Sequence, residues 1–114
     1  MSRRGARTRR RYLIVKIEPA NTDLAVDSLE TILLGAIIRL WGAEGLAKIN
    51  PKLIYLDKRR QLAVVRVDAE GVERARLAFE LFPRVAPIVV RVVRVTGTVR
   101  KALRIIKSTP VSET

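Results

Sequence analysis

The chain has 114 residues, 48% of them hydrophobic, and a formal net charge of +12. That is the length of one domain, with enough apolar content for a real core, so wholesale disorder is excluded. Cys and His are absent, which excludes disulfides, thiolate nucleophiles, thiolate zinc sites and the commonest general acid–base group.

The charge is unevenly placed. Met1 to Ile17 holds seven Lys or Arg and no acid, and Leu81 to Ser112 holds another seven with no acid. Glu18 to Glu80 is close to neutral, with nine basic and ten acidic residues. A balanced middle with two cationic ends reads as a scaffold that delivers charge to a polyanion. Arg outnumbers Lys 17 to 6. Its planar guanidinium makes bidentate phosphate contacts and stacks on bases, so the bias favours nucleic acid over a membrane surface. Few thermolabile residues together with abundant charge also fit a hot source. No apolar run is long enough for a membrane span, and the basic start is not followed by a signal-peptide pattern. A soluble cytoplasmic protein is expected.

In chain order, residues 1–10 (MSRRGARTRR) are expected to be a flexible Arg-rich arm. A single folded domain follows over residues 11–107, and residues 108–114 should fray. Arg11 to Glu18 predicts a central strand, apolar on both faces, ended by Pro19. Asn21, Thr22 and Asp23 form a capping cluster for a helix that runs to about Leu40 or Trp41 on the stripe Leu29, Ile32, Leu33, Ala36, Ile37 and Leu40. Trp41-Gly42 and Gly45 loosen the path, a short extension over Leu46 to Lys48 is open, and Asn50-Pro51 turns the chain.

Lys52 to Asp57 and Gln61 to Asp68 predict an antiparallel hairpin with Lys58, Arg59 and Arg60 at its tip, a candidate phosphate contact or a solvated turn. Asp68 is positioned to cap a helix from about Ala69 to Phe82 that buries Val72, Ala75, Phe79 and Phe82. Pro83 and Pro87 fence a loop. Ile88 to Val95 is almost wholly β-branched and predicts a buried strand. Arg91 and Arg94 are read as lying on its opposite faces. Thr96-Gly97-Thr98 then turns into a helix whose stripe is Val99, Ala102, Leu103 and Ile106, with Arg100, Lys101, Arg104 and Lys107 elsewhere on its surface.

The order is β-α-β-β-α-β with an added C-terminal basic helix. This is the α+β sandwich of ferredoxin-like and RNA-recognition domains. One sheet face takes two helices, and the other needs the last helix or a partner to cover it. The usual platform of stacked sheet aromatics is missing, since only Tyr12 and Tyr55 fall on strands. Contacts from Arg and Lys to a structured RNA therefore fit better. The first candidates are Arg100, Lys101 and Arg104, with Thr98 at the helix start, where a cap is the plainer role. Arg9, Arg10 and Arg11 come second, and Arg91 and Arg94 third. No catalytic residue and no bound metal are expected. Asp57 and Asp68 at strand ends are the remaining carboxylates to weigh for Mg²⁺, and each has an ordinary job as turn residue or cap.

The sequence resembles the archaeal ribonuclease P protein component 2 family, whose eukaryotic relatives are subunits of ribonuclease P and of the mitochondrial-RNA-processing ribonuclease. The resemblance runs from Arg11 to about Lys107. It rests on the Arg11-Tyr12-Leu13 strand, on Leu40-Trp41-Gly42 with Gly45-Leu46-Ala47-Lys48 and Asn50-Pro51, on Val64-Val65-Arg66-Val67, and on Val95-Thr96-Gly97-Thr98-Val99-Arg100-Lys101. Thr96 stands where the family usually has Ser. The resemblance implies a protein subunit of the enzyme that removes the 5′ leader from precursor tRNA, with hydrolysis performed by an RNA subunit that holds Mg²⁺. It also implies pairing with the barrel-type component 3 subunit, and association of two such pairs through component 2. The alternatives are a stand-alone or ribosome-associated RNA-binding module and a dimeric ferredoxin-like regulator; acid-free ends weigh against the regulator.

Overall fold

The computed structural model describes residues 9–19, 22–23, 25–81 and 88–111. The elements run β1 (Arg10–Glu18), α1 (Val26–Ile49), β2 (Lys52–Asp57), β3 (Leu62–Asp68), a 3₁₀ turn (Ala69–Gly71), α2 (Val72–Leu81), β4 (Val89–Thr96) and α3 (Val99–Lys107). The four strands form one antiparallel sheet in the order β2-β3-β1-β4. This is the ferredoxin-like arrangement with a helix added at the C-terminal end. No described helix is long and apolar enough to cross a membrane.

Strand alternation sorts the sheet into two sides. On the first, Leu13, Val15 and Ile17 of β1 join Ala63, Val65 and Val67 of β3 and Val90 of β4. Leu29, Leu33 and Ile37 of α1 and Ala75, Ala78 and Phe79 of α2 close over them. On the second side, Ile14, Leu62 and Val64 meet Ala102 and Ile106 of α3. The apolar β1 residues of both parities are thus buried, as a central strand requires.

Three expectations about local structure are corrected. Helix α1 starts at Val26 with Ala25 at the N-cap and no side-chain cap. Thr22 instead donates its hydroxyl to the Pro19 carbonyl, and Asn21 lies outside the described residues. Asp68 stands at the N-cap of the 3₁₀ turn but makes no capping bond. Its carboxylate is taken by Arg10 at 3.4 Å and by the Asn50 amide at 3.4 Å. Charge and tertiary neighbours outcompete the local cap. The third correction is the placing of Arg91 and Arg94. β4 carries a bulge where its register against β1 jumps from Ile14↔Arg94 to Val15↔Val92. The extra residue shifts the alternation, so Arg91 (opposite Lys16) and Arg94 (opposite Ile14) share the α3 side. Phe82 and the Pro83–Pro87 loop lie outside the described residues.

α1 is two helical pieces joined at Gly42, whose φ of 74° and ψ of −177° are open to glycine alone. At Gly45 an added Cβ would collide with the Trp41 side chain. The two glycines let the Trp41 ring lie along the helix. Its Nε1–H then donates to the Arg74 carbonyl of α2 at 2.9 Å, and the Arg74 guanidinium sits 5.0 Å from the ring centroid. Asn50, in the left-handed conformation, ends the helix by donating its N–H to the Leu46 carbonyl.

Candidate nucleic-acid interface

α3 is the most cationic element of the described chain. Thr98 has extended backbone, and its hydroxyl accepts from the Lys101 N–H at 3.1 Å, which starts the helix. Thr96 donates its hydroxyl to the Thr98 carbonyl at 2.9 Å and fixes the turn. The stripe Ala102 and Ile106 is buried against β1 and β3, with Leu103 half-buried. That fixes the rotation of the helix and leaves Arg100, Lys101, Arg104 and Lys107 exposed. No ion pair among the described residues neutralises any of these four. The Thr98 hydroxyl is committed to the cap, so Thr98 serves the site by placing the helix start.

The far end of α3 is held by a residue from the β2–β3 hairpin. Arg60 donates from Nε to the Thr109 carbonyl at 2.6 Å and from Nη2 to the Lys107 carbonyl at 3.4 Å. Its Nη1 pairs with Asp57 at 2.9 Å. The Lys107 carbonyl at the helix end and the Thr109 carbonyl just beyond it thereby gain a cationic partner, the favourable sign for that end. Ser108 and Thr109, in the stretch expected to fray, extend the anchoring with side-chain donation to the Ile105 carbonyl at 3.0 and 2.8 Å. Of the three hairpin cations, Arg60 is therefore a structural clamp, and Lys58 and Arg59 remain exposed. Partial burial alone would raise the Asp57 carboxyl. The Arg60 backbone N–H, its guanidinium and its charge, with the Arg59 N–H, outweigh that and hold the group below its ordinary value.

The other candidates are dispersed. Arg94 is exposed, and Arg91 is exposed but paired with Glu18 at 3.2 Å. Arg9 is exposed and its carbonyl accepts from Ala69 N–H. Arg10 is engaged by Asp68, and Arg11 donates to the Arg10 carbonyl at 2.9 Å. Arg10 and Arg11, successive along β1 opposite Asp68 and Val67, lie on opposite sides of the sheet. Asp57 and Asp68 do not converge either. Asp57 pairs opposite Leu62, six residues from Asp68 along β3, a separation of roughly 20 Å. Both carboxylates are already held by cations.

The clamping role of Arg60 and the tying role of Gln61 were not foreseen in the sequence. Gln61 is buried with φ of 53°, and its side-chain amide donates to the Ile17 and Pro19 carbonyls at 2.7 and 2.8 Å, tying the hairpin to the end of β1. Nothing local marks these roles, because the carbonyls that Arg60 and Gln61 reach are more than forty residues away.

A profile of the Rpp14/Pop5 family of ribonuclease P proteins matches residues 11–107. The chain belongs to the Rpp14/Pop5 family. Rpp14/Pop5 proteins are subunits of ribonuclease P and ribonuclease MRP, so this chain is a ribonuclease P protein subunit, and the stand-alone alternative is not favoured. No curated protein matches the sequence significantly. Among solved structures, a chain of the yeast ribonuclease MRP cryo-electron-microscopy structure has the same fold. The TM-score is 0.61 at 13% identity, over 88% of this chain and 92% of that one. The matched span contains Thr98, the cationic face of α3 and the Asp57–Arg60 pair, while Thr109, which Arg60 also holds, lies beyond it.

Proposed function

We propose that this subunit supports the catalytic RNA that removes the 5′ leader from precursor tRNA, and contributes no reacting group itself. The observation that carries the reading is α3: an acid-free row of exposed cations docked rigidly at both ends. A folded RNA concentrates phosphates, and their repulsion opposes the compact state in which Mg²⁺ is held at the scissile bond. A helix that arrives with its rotation and ends already fixed supplies countercharge without first being ordered. Arg100, Lys101 and Arg104 carry the contact, with Arg94 and Arg9 as outlying cations. Mg²⁺ belongs to the RNA subunit in this reading. The barrel-type component 3 subunit is the protein partner, and two such pairs associate through this chain. A heat-adapted source fits the composition, and an archaeal, cytoplasmic one follows from the resemblance to the component 2 family.

Reconstitution tests the reading. Precursor tRNA cleavage by the RNA subunit is measured against Mg²⁺ concentration, with and without this chain and its component 3 partner. The Mg²⁺ needed for half-maximal rate is expected to fall when the proteins are present. An unchanged requirement, or cleavage by the protein alone, would contradict it.

A further inference from the structure

The side of the sheet that carries α3 is not fully covered, and the uncovered part has a composition of its own. The registers set Lys52 opposite Arg66, Arg66 opposite Tyr12, and Tyr12 opposite Thr96, one residue from each strand in a single row. A bulge in β2 brings Tyr55 opposite Val64 on the same side, while its neighbour Ile54 packs into the α3 cluster. Tyr55 is 36% exposed, Lys52 is exposed, and Tyr12 and Arg66 are half-buried. Both strand tyrosines thus share one side and flank β3 and its Arg66.

Two features of this row are costly unless a ligand relieves them. Lys52 and Arg66 are like charges directly opposite each other, an arrangement that destabilises a sheet. The Arg66 Nε is buried with no hydrogen-bond partner among the described residues, although buried donors are normally satisfied. The nearest acid along β3 on this side, Asp68, is already held by Arg10 and Asn50. Local rules broken without internal compensation mark functional surfaces.

We propose that Tyr12, Tyr55, Arg66 and Lys52 form a second RNA contact, which takes an unpaired nucleotide. The base stacks on a tyrosine ring and its phosphate lies against Arg66 and Lys52. This rests on the reading that the partner is RNA, and it assigns the sheet a single-strand role distinct from that of α3. Exposed rings beside cations are the recognition chemistry of unstacked bases. A duplex offers no free base face to them.

The test uses the full chain and two fluorescein-labelled probes, a uridine decamer and a ten-base-pair RNA duplex. Tyr55→Leu is expected to weaken decamer binding by at least about fivefold, the lower end of base–aromatic stacking. Tyr55→Phe should retain it, and duplex binding should not change. Lys52→Gln should lower the salt slope for the decamer by about 0.7. In the unmodified protein, Tyr12 and Tyr55 ring resonances should move on decamer addition, a measurement independent of any variant's folding. The proposal is overturned if Tyr55→Leu leaves decamer binding intact, if it weakens both probes equally, or if neither ring responds. Duplex binding that still depends on α3 in those cases would leave the role of α3 standing.

Discussion

The two sides of the sheet solve the same problem differently. One is closed by two helices over an unbroken apolar layer centred on Phe79, Leu13 and Ile37. The other is covered by α3 around a small cluster of Ile14, Leu62, Val64, Ala102 and Ile106. Beyond that cluster it is lined by Lys16, Lys52, Arg66, Arg91 and Arg94. The first side holds the fold together. The second gives up apolar closure to present charge, and α3 belongs to both tasks, because its buried stripe docks it and its outer face is cationic.

Perturbing each side should separate the tasks. Phe79→Ala empties the closed side and should lower stability by about 3–5 kcal/mol, read from urea unfolding. If unfolding remained close to that of the parent protein, the closed side would not be the source of stability. A smaller and more local effect is expected from Arg60→Met. It removes the clamp on α3 and should cost about 1 kcal/mol, since the pair is partly solvated. Amide exchange should quicken in the last turn of α3 with the core amides little affected. Acid should mimic it. The folded Asp57 carboxyl sits below its ordinary value, so its contribution is complete above about pH 4 and fades as pH falls through the lower folded pKa. Loosening of α3 that set in instead between pH 5 and 7 would place the anchor elsewhere.

The fold was legible in the sequence because its periodicities are clean. β-branched runs at Leu13–Ile17, Val64–Val67 and Val89–Val95 mark strands, and the stripes through Leu29–Leu40 and Val99–Ile106 mark helices. The basic helix and its Thr98 cap were legible for the same reason. What escaped was set by distance or by a single inserted residue. The bulge at Val93–Arg94 moves Arg91 and Arg94 to one side, and no local pattern announces it. The Arg60 clamp needs the end of α3 brought beside the hairpin. Asp68 had a cap position but found Arg10 and Asn50. The two strand tyrosines, read as too few to matter, fall on the same side only once β2 is bulged and paired.

The central claim, that the docked cations of α3 meet phosphate, is tested most directly by the salt dependence of RNA binding. Affinity for the ribonuclease P RNA should be followed across salt concentration for the parent chain and for Arg100→Gln, Lys101→Gln, Arg104→Gln combined. Each lost phosphate contact lowers the logarithmic slope by about 0.7 to 0.9. The triple variant should therefore bind more weakly, with a slope shallower by about 2 to 3. An unchanged slope with unchanged affinity would mean that α3 does not touch the RNA.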